Sequence, residues 1–164
     1  MRPALLAFAL CAVAAALEGW AAGGDVKARF AELRMPPSSP SLPLWIGIGV
    51  GYYGICFVVL TRLLASPLVH DSRGRLALGL TCILMLVNAA WGYFFFRLGN
   101  LRVSFLVFTP YVVLALVLEA SLARVDRTAA IAFLPYLSYL PYGAWWGYRV
   151  WRLNDAGDRE PLAR

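Results

Sequence analysis

The stretch Phe133-Leu-Pro-Tyr-Leu-Ser-Tyr-Leu-Pro-Tyr-Gly-Ala-Trp-Trp-Gly-Tyr-Arg-Val-Trp-Arg-Leu-Asn154 decides how this chain is read. It is apolar enough to enter a bilayer, yet it holds four tyrosines, three tryptophans and two prolines. A purely lipid-facing span would be mostly Leu, Val and Ile. Drawn as a helix, it places Pro135, Tyr139, Gly143 and Trp146 on one face, at i, i+4, i+8 and i+11. Gly143 then leaves a gap between large aromatic neighbours, where a flat apolar ligand with polar edges can lie. The same residues also suit an aromatic belt at a membrane interface with tight helix packing around glycine.

Composition points the same way along the rest of the chain. The sequence is 61% hydrophobic and 15% charged, with a mean hydropathy of +0.67, whereas soluble domains carry about 25% charged residues. Five runs are long enough to span a bilayer: 3–22, 43–61, 76–96, 103–123 and 128–151. A run of 21 residues makes a helix of roughly 31 Å, against a hydrocarbon core of about 30 Å. Backbone in lipid must satisfy its own hydrogen bonds, so the runs are predicted as helices. The expectation is one all-α domain over 1–164, an integral membrane bundle of five transmembrane helices. Loop 23–42 caps one end and 155–164 forms a tail.

The net charge of +6 does not indicate nucleic acid, because the basic residues flank apolar runs. One side of a five-span bundle would hold Arg2, Arg62, Arg73, Arg75, Arg124 and Arg127. The other would hold Lys27, Arg29, Arg34, Arg97, Arg102, Arg149, Arg152, Arg159 and Arg164. The richer side is expected in the cytoplasm, which puts the N-terminus outside and the C-terminus inside. Exporting loop 23–42 by cleaving the first run as a signal peptide would reverse that bias, so the first helix is expected to be retained. A bacterial inner membrane is the expected location. Cys11, Cys56 and Cys82 sit in separate apolar runs without metal-ligand spacing and are expected as buried small hydrophobes.

Between the spans, Asp25–Leu33 is expected to form a short amphipathic helix with Phe30 and Leu33 inward. Pro36, Pro37, Pro40 and Pro43 then stop any helix, making either a stiff cap over the bundle mouth or a plain linker. Gly47, Gly49, Gly51 and Gly54 beside Tyr52 and Tyr53 suggest close helix approach or room for a ligand, with close packing preferred. Asn88 and Trp91 share a helical face. An amide at that depth bonds another helix or a ligand. Pro110 frees the carbonyl of Leu106 and is expected to kink its helix. Glu18 and Glu119 are expected as paired or snorkelling carboxylates, the latter with Arg124 or Arg127.

Leu134-Pro-Tyr-Leu137 with Asn154 downstream, Asn88-x-x-Trp91 followed by Phe95-Phe96, and Arg29-Phe30-Ala-Glu-Leu33-Arg-Met-Pro36 together resemble the TspO/MBR family, the tryptophan-rich sensory and translocator proteins. The resemblance runs from about Asp25 to Asn154. It implies a five-helix membrane bundle with a cytoplasmic C-terminus, commonly a homodimer. It also implies binding of porphyrins, haem among them, and in some members sterol-like molecules, with no cofactor required. The family's ligand-lining positions fall on Tyr53, Asn88, Trp91, Tyr139, Gly143 and Trp146. Arg29 and Arg34 are the loop residues that would meet propionates. The sequence departs from the family where Gly49 and Tyr139 replace tryptophans, Gly143 replaces a small residue that is usually alanine, Trp146-Gly147 replaces a Leu-Asn pair, and Leu84 replaces a glutamine. These residues leave three functions in play: a receptor or carrier for flat hydrophobic ligands, a light-dependent porphyrin-degrading activity, and a scaffold acting through partner proteins.

Overall fold

A computed structural model describes residues 2–155. They form six α-helices: α1 (Pro3–Ala22), α2 (Val26–Glu32), α3 (Leu42–Ala65), α4 (Ser72–Gly92), α5 (Leu101–Val125) and α6 (Arg127–Asp155). A 3-10 turn, Pro67–His70, links α3 to α4, and a π-helical turn, Tyr93–Arg97, extends α4. No strand occurs among the described residues. Of the expected tail, Asp155 ends α6 and 156–164 lie outside the described residues.

Local signals explain most boundaries. Pro3, Pro43 and Pro67 open their helices, where a missing N–H costs nothing. Asn100 caps α5 by accepting from the Val103 amide at 3.0 Å, and Asp126 caps α6 by accepting from the Ala129 amide at 2.8 Å. Gly23, at φ 82°, ends α1, and Gly99, at φ 62°, ends the π turn. Pro110, Pro135 and Pro141 lie inside helices that continue through them.

Four helical segments are long and apolar enough to cross a membrane: Pro3–Ala22, Leu42–Ala65, Ser72–Arg97 and Leu101–Val125. Helix α6 is longer still, at 29 residues, but its tyrosines, tryptophans and prolines lower its hydropathy. The protein is a multi-pass integral membrane protein. Its outer surface fits that setting: Leu5, Phe8, Val13 and Trp20 on α1 are exposed, as are Leu44, Ile46 and Val50 on α3.

The five long helices touch in the cyclic order α1, α3, α6, α5, α4 and back to α1. One half of this ring is solid. Ala7, Cys56, Leu60, Leu63, Ala77, Leu84, Leu118, Leu122, Ala129 and Phe133 fill it, and each is almost wholly buried. At the other end a second cluster gathers Phe95, Phe96, Trp146 and Val150 with Trp45, Trp91, Val26 and Phe30 of α2, and Leu33 just after it.

Two packing expectations are corrected. A Cβ added at Gly47, Gly49, Gly51 or Gly54 would meet nothing within 4 Å. Those glycines therefore bring no neighbouring helix close, and three of them face outward. The close approach is at Gly74 instead, where a Cβ would collide with the Leu68 carbonyl oxygen of the 3-10 turn. Glu119 pairs with neither arginine, and its Oε2 is buried without a hydrogen-bond partner. An ion pair in this region joins Arg62 to Asp126 instead, across the bundle, at 2.9 Å.

Candidate functional site

The hollow half of the ring holds a cavity of about 90 Å³. Its walls come from the starts of α3 and α5 and the ends of α4 and α6, which all lie toward the α2 side of the bundle, plus one residue of α1, Glu18.

Aromatic rings form the upper wall. Trp45 stacks on Trp91 with centroids 5.6 Å apart and lies 6.0 Å from Trp146. Trp91 stacks on Phe95 at 4.8 Å, and Phe95 lies 5.6 Å from Trp146. The π turn matters here. Its extra residue per turn lets Phe95 and Phe96 both turn inward beside Trp91, and both are buried. The floor is a layer of three buried tyrosines. Tyr111 and Tyr136 join their hydroxyls in a hydrogen bond, while the Tyr52 hydroxyl is buried without a partner.

The roof is the loop after α1. Ser38 accepts from the Tyr142 hydroxyl through its carbonyl at 2.8 Å, and the Ser39 hydroxyl accepts from the Trp146 indole N–H at 3.0 Å. Asn154 closes the other side: its Oδ1 accepts from the Arg34 amide at 3.0 Å, and its Nδ2 donates to the Arg34 carbonyl at 3.1 Å. All of these anchors are on α6. Near α4, the Arg29 guanidinium lies over Gly99. The positive φ of Gly99 favours glycine at this position.

One wall is polar. Glu18 Oε2 accepts from the Tyr53 hydroxyl at 2.6 Å and from Asn88 Nδ2 at 3.0 Å. The carboxylate is therefore paired, as its sequence position suggested, but with neutral donors rather than an arginine.

Five of the six residues singled out in the sequence stand together in this wall: Asn88, Trp91, Tyr139, Gly143 and Trp146. Tyr53 does not. Its hydroxyl is turned to Glu18, so it stands behind the wall and holds a wall residue. Arg29 and Arg34 also lie outside it. Arg29 pairs with Glu32 at 3.3 Å, and Arg34 meets α6 through its backbone. The expected gap at Gly143 is filled: a Cβ there would stand 3.1 Å from Phe108 Cζ. Glu18, Trp45, Tyr52, Tyr111 and Tyr136 are wall residues that the sequence reading passed over. The signals were present: a lone carboxylate in an apolar run, a tryptophan opening a glycine-rich helix, and a tyrosine directly after a mid-helix proline.

Fold and site together define a multi-pass helical membrane protein with an aromatic cavity closed by its first loop. A family model identifies the class further: that of the TspO/MBR family matches residues 7–152. The chain belongs to the TspO/MBR family, and membership brings a membrane function of the sensor or transporter type. No curated protein matches the chain.

Proposed function

We propose that this protein is a membrane receptor or carrier that binds porphyrin-like tetrapyrroles, or similar flat hydrophobic molecules, in the cavity beneath the loop. The observation that carries this reading is the aromatic wall of Trp45, Trp91, Phe95 and Trp146 with a polar side at Asn88 and Glu18. Such rings offer large flat apolar faces for stacking. At about 90 Å³ the closed cavity is far smaller than the roughly 300–1,000 Å³ of ligand pockets. A tetrapyrrole is therefore admitted only when the loop lifts and side chains such as Phe108 swing aside. In this reading α6 is the fifth span, α1 is retained, the N-terminus lies outside and the C-terminus lies in the cytoplasm of a bacterial cell. Retention of α1 is supported by its burial in the bundle through Ala7, Cys11 and Ala14. A homodimer is the expected assembly.

The test is a titration of protoporphyrin into detergent-solubilised protein, followed by tryptophan quenching. Saturable quenching is expected, weakened at least about tenfold by Trp91→Leu and more modestly by Tyr139→Ala, since losing a stacked ring costs on the order of 1–1.5 kcal/mol beyond its area. Absence of saturable quenching would overturn the reading. The three tryptophans also favour a second reading, light-dependent degradation of the bound porphyrin. A new absorbing product formed on illuminating the complex would support it.

A further inference from the structure

Among the described residues Glu18 is the only carboxyl in the cavity wall, and no Lys, Arg or His joins it there. It makes no ion pair among the described residues, whose two salt bridges are Arg29–Glu32 and Arg62–Asp126. Arg97, the basic residue at this end of α4, is turned the other way. Its Nη1 donates to the Trp20 carbonyl at 3.2 Å and its guanidinium covers the Trp20 ring at 5.2 Å. Both neutral donors that reach Glu18, the Tyr53 hydroxyl and the Asn88 amide, converge on Oε2. Oε1 has no donor from the described residues, and the residue borders the cavity.

An ionised carboxylate has about four acceptor sites and no donor. Two neutral dipoles compensate its charge only in part. A charged side chain within a membrane bundle faces the interior, and no cation among the described residues balances this one.

We propose that Glu18 makes the cavity selective for flat apolar ligands presenting a cationic or strongly donating nitrogen to this wall, and selective against ligands presenting a carboxylate to it. The inference rests on the cavity being a ligand site. It deepens that reading by fixing orientation: a tetrapyrrole's carboxylates face the loop end, away from Glu18. Like charge in the low-dielectric interior disfavours the opposite pose. Tyr53 and Asn88 are positioning residues, holding the carboxylate so that Oε1 stays free.

Three tricyclic probes of one shape test this in uncharged maltoside micelles: 9-aminoacridine (a cation at neutral pH), anthracene (neutral) and anthracene-9-carboxylate (an anion). Binding is followed by probe fluorescence and tryptophan quenching. The wild type is expected to prefer the cation to the anion by about tenfold or more, the factor one charge-assisted hydrogen bond supplies. Glu18→Gln, checked for folding by its melting curve, is expected to bring the two dissociation constants within about threefold, the residue of a lost charge contact. Tyr53→Phe removes one of the two donors and is expected to raise the cation preference. That second variant decides the matter should Glu18→Gln fail to fold. Anthracene binding with no difference between cation and anion overturns the proposal alone, as does a preference that survives Glu18→Gln or fails to rise in Tyr53→Phe. If none of the three probes binds the wild type, the ligand-site reading falls with it.

Discussion

At the scale of single residues, Asp126 shows how much one side chain can join. It accepts from Arg62 Nε and Nη2 on α3, and it caps α6 through the Ala129 amide. Burial pushes its carboxyl upward, but the hydrogen bond from Ala129 and the Arg62 guanidinium outweigh this and hold it below its ordinary value. A carboxylate whose folded value is depressed contributes stability that is complete above the unfolded value, about 3.9, and is lost as pH falls through the lower folded value. The melting temperature of the wild type is therefore expected to drop on acidification below about pH 4. Asp126→Asn keeps a capping oxygen and loses the charge, so it should melt lower at neutral pH, by about 0.5–1 kcal/mol of stability given that Arg62 is half exposed. Its melting temperature should also depend less on pH over that range. An unchanged acid dependence in the variant would rule this out. Single residues also mark where the sequence misled. Gly143 reads as a gap because glycine has no side chain, but what occupies that space comes from Phe108 on another helix. Tyr53 and Tyr52 are neighbours in sequence, and which one faces the cavity depends on the rotation of α3, which a run of small and aromatic residues does not fix.

At the scale of elements, the long helices were legible because hydropathy and length are properties of a single segment. Helix α2 was legible because Phe30 and Leu33 sit at helical spacing before a run of prolines. The lid was only half legible. The prolines say that no helix runs through residues 36–41, but nothing in them says that Ser38 and Ser39 will meet Tyr142 and Trp146, more than a hundred positions away. The mechanical consequence is that the loop is latched to one helix. Asn154→Ala removes both hydrogen bonds to the Arg34 backbone. With each net bond worth about 0.5–1.5 kcal/mol, lid opening is expected to become about five- to 150-fold more frequent. Limited trypsin digestion at Arg29 and Arg34 in micelles measures this directly. Cleavage in the variant no faster than in wild type would mean that the latch lies elsewhere.

At the scale of the whole molecule, the pairing order of the helices could not be read from any one of them, and the cavity is a property of that order. Among the described residues, helix α1 reaches the wall through Glu18 alone, which is why a lone carboxylate in the first run looked peripheral in the sequence. Orientation across the bilayer is a whole-molecule quantity as well. A fluorescent protein fused after Arg164 is expected to be fluorescent in intact bacteria, and alkaline phosphatase fused in the 3-10 turn between α3 and α4 is expected to be active. The reverse pattern would invert the topology. The division of the bundle into a hollow half and a solid half bears on traffic. Below the Tyr52, Tyr111 and Tyr136 layer the helices interlock through side chains with almost no exposed surface, and close-packed interiors of this kind do not part without losing their contacts. The molecule has the form of a cup rather than a tube. A ligand held there as proposed would leave by the rim through which it came, so one copy of this chain would sequester it, present it or hand it over on one side of the membrane, while movement across the bilayer would require the far side of the bundle to come apart.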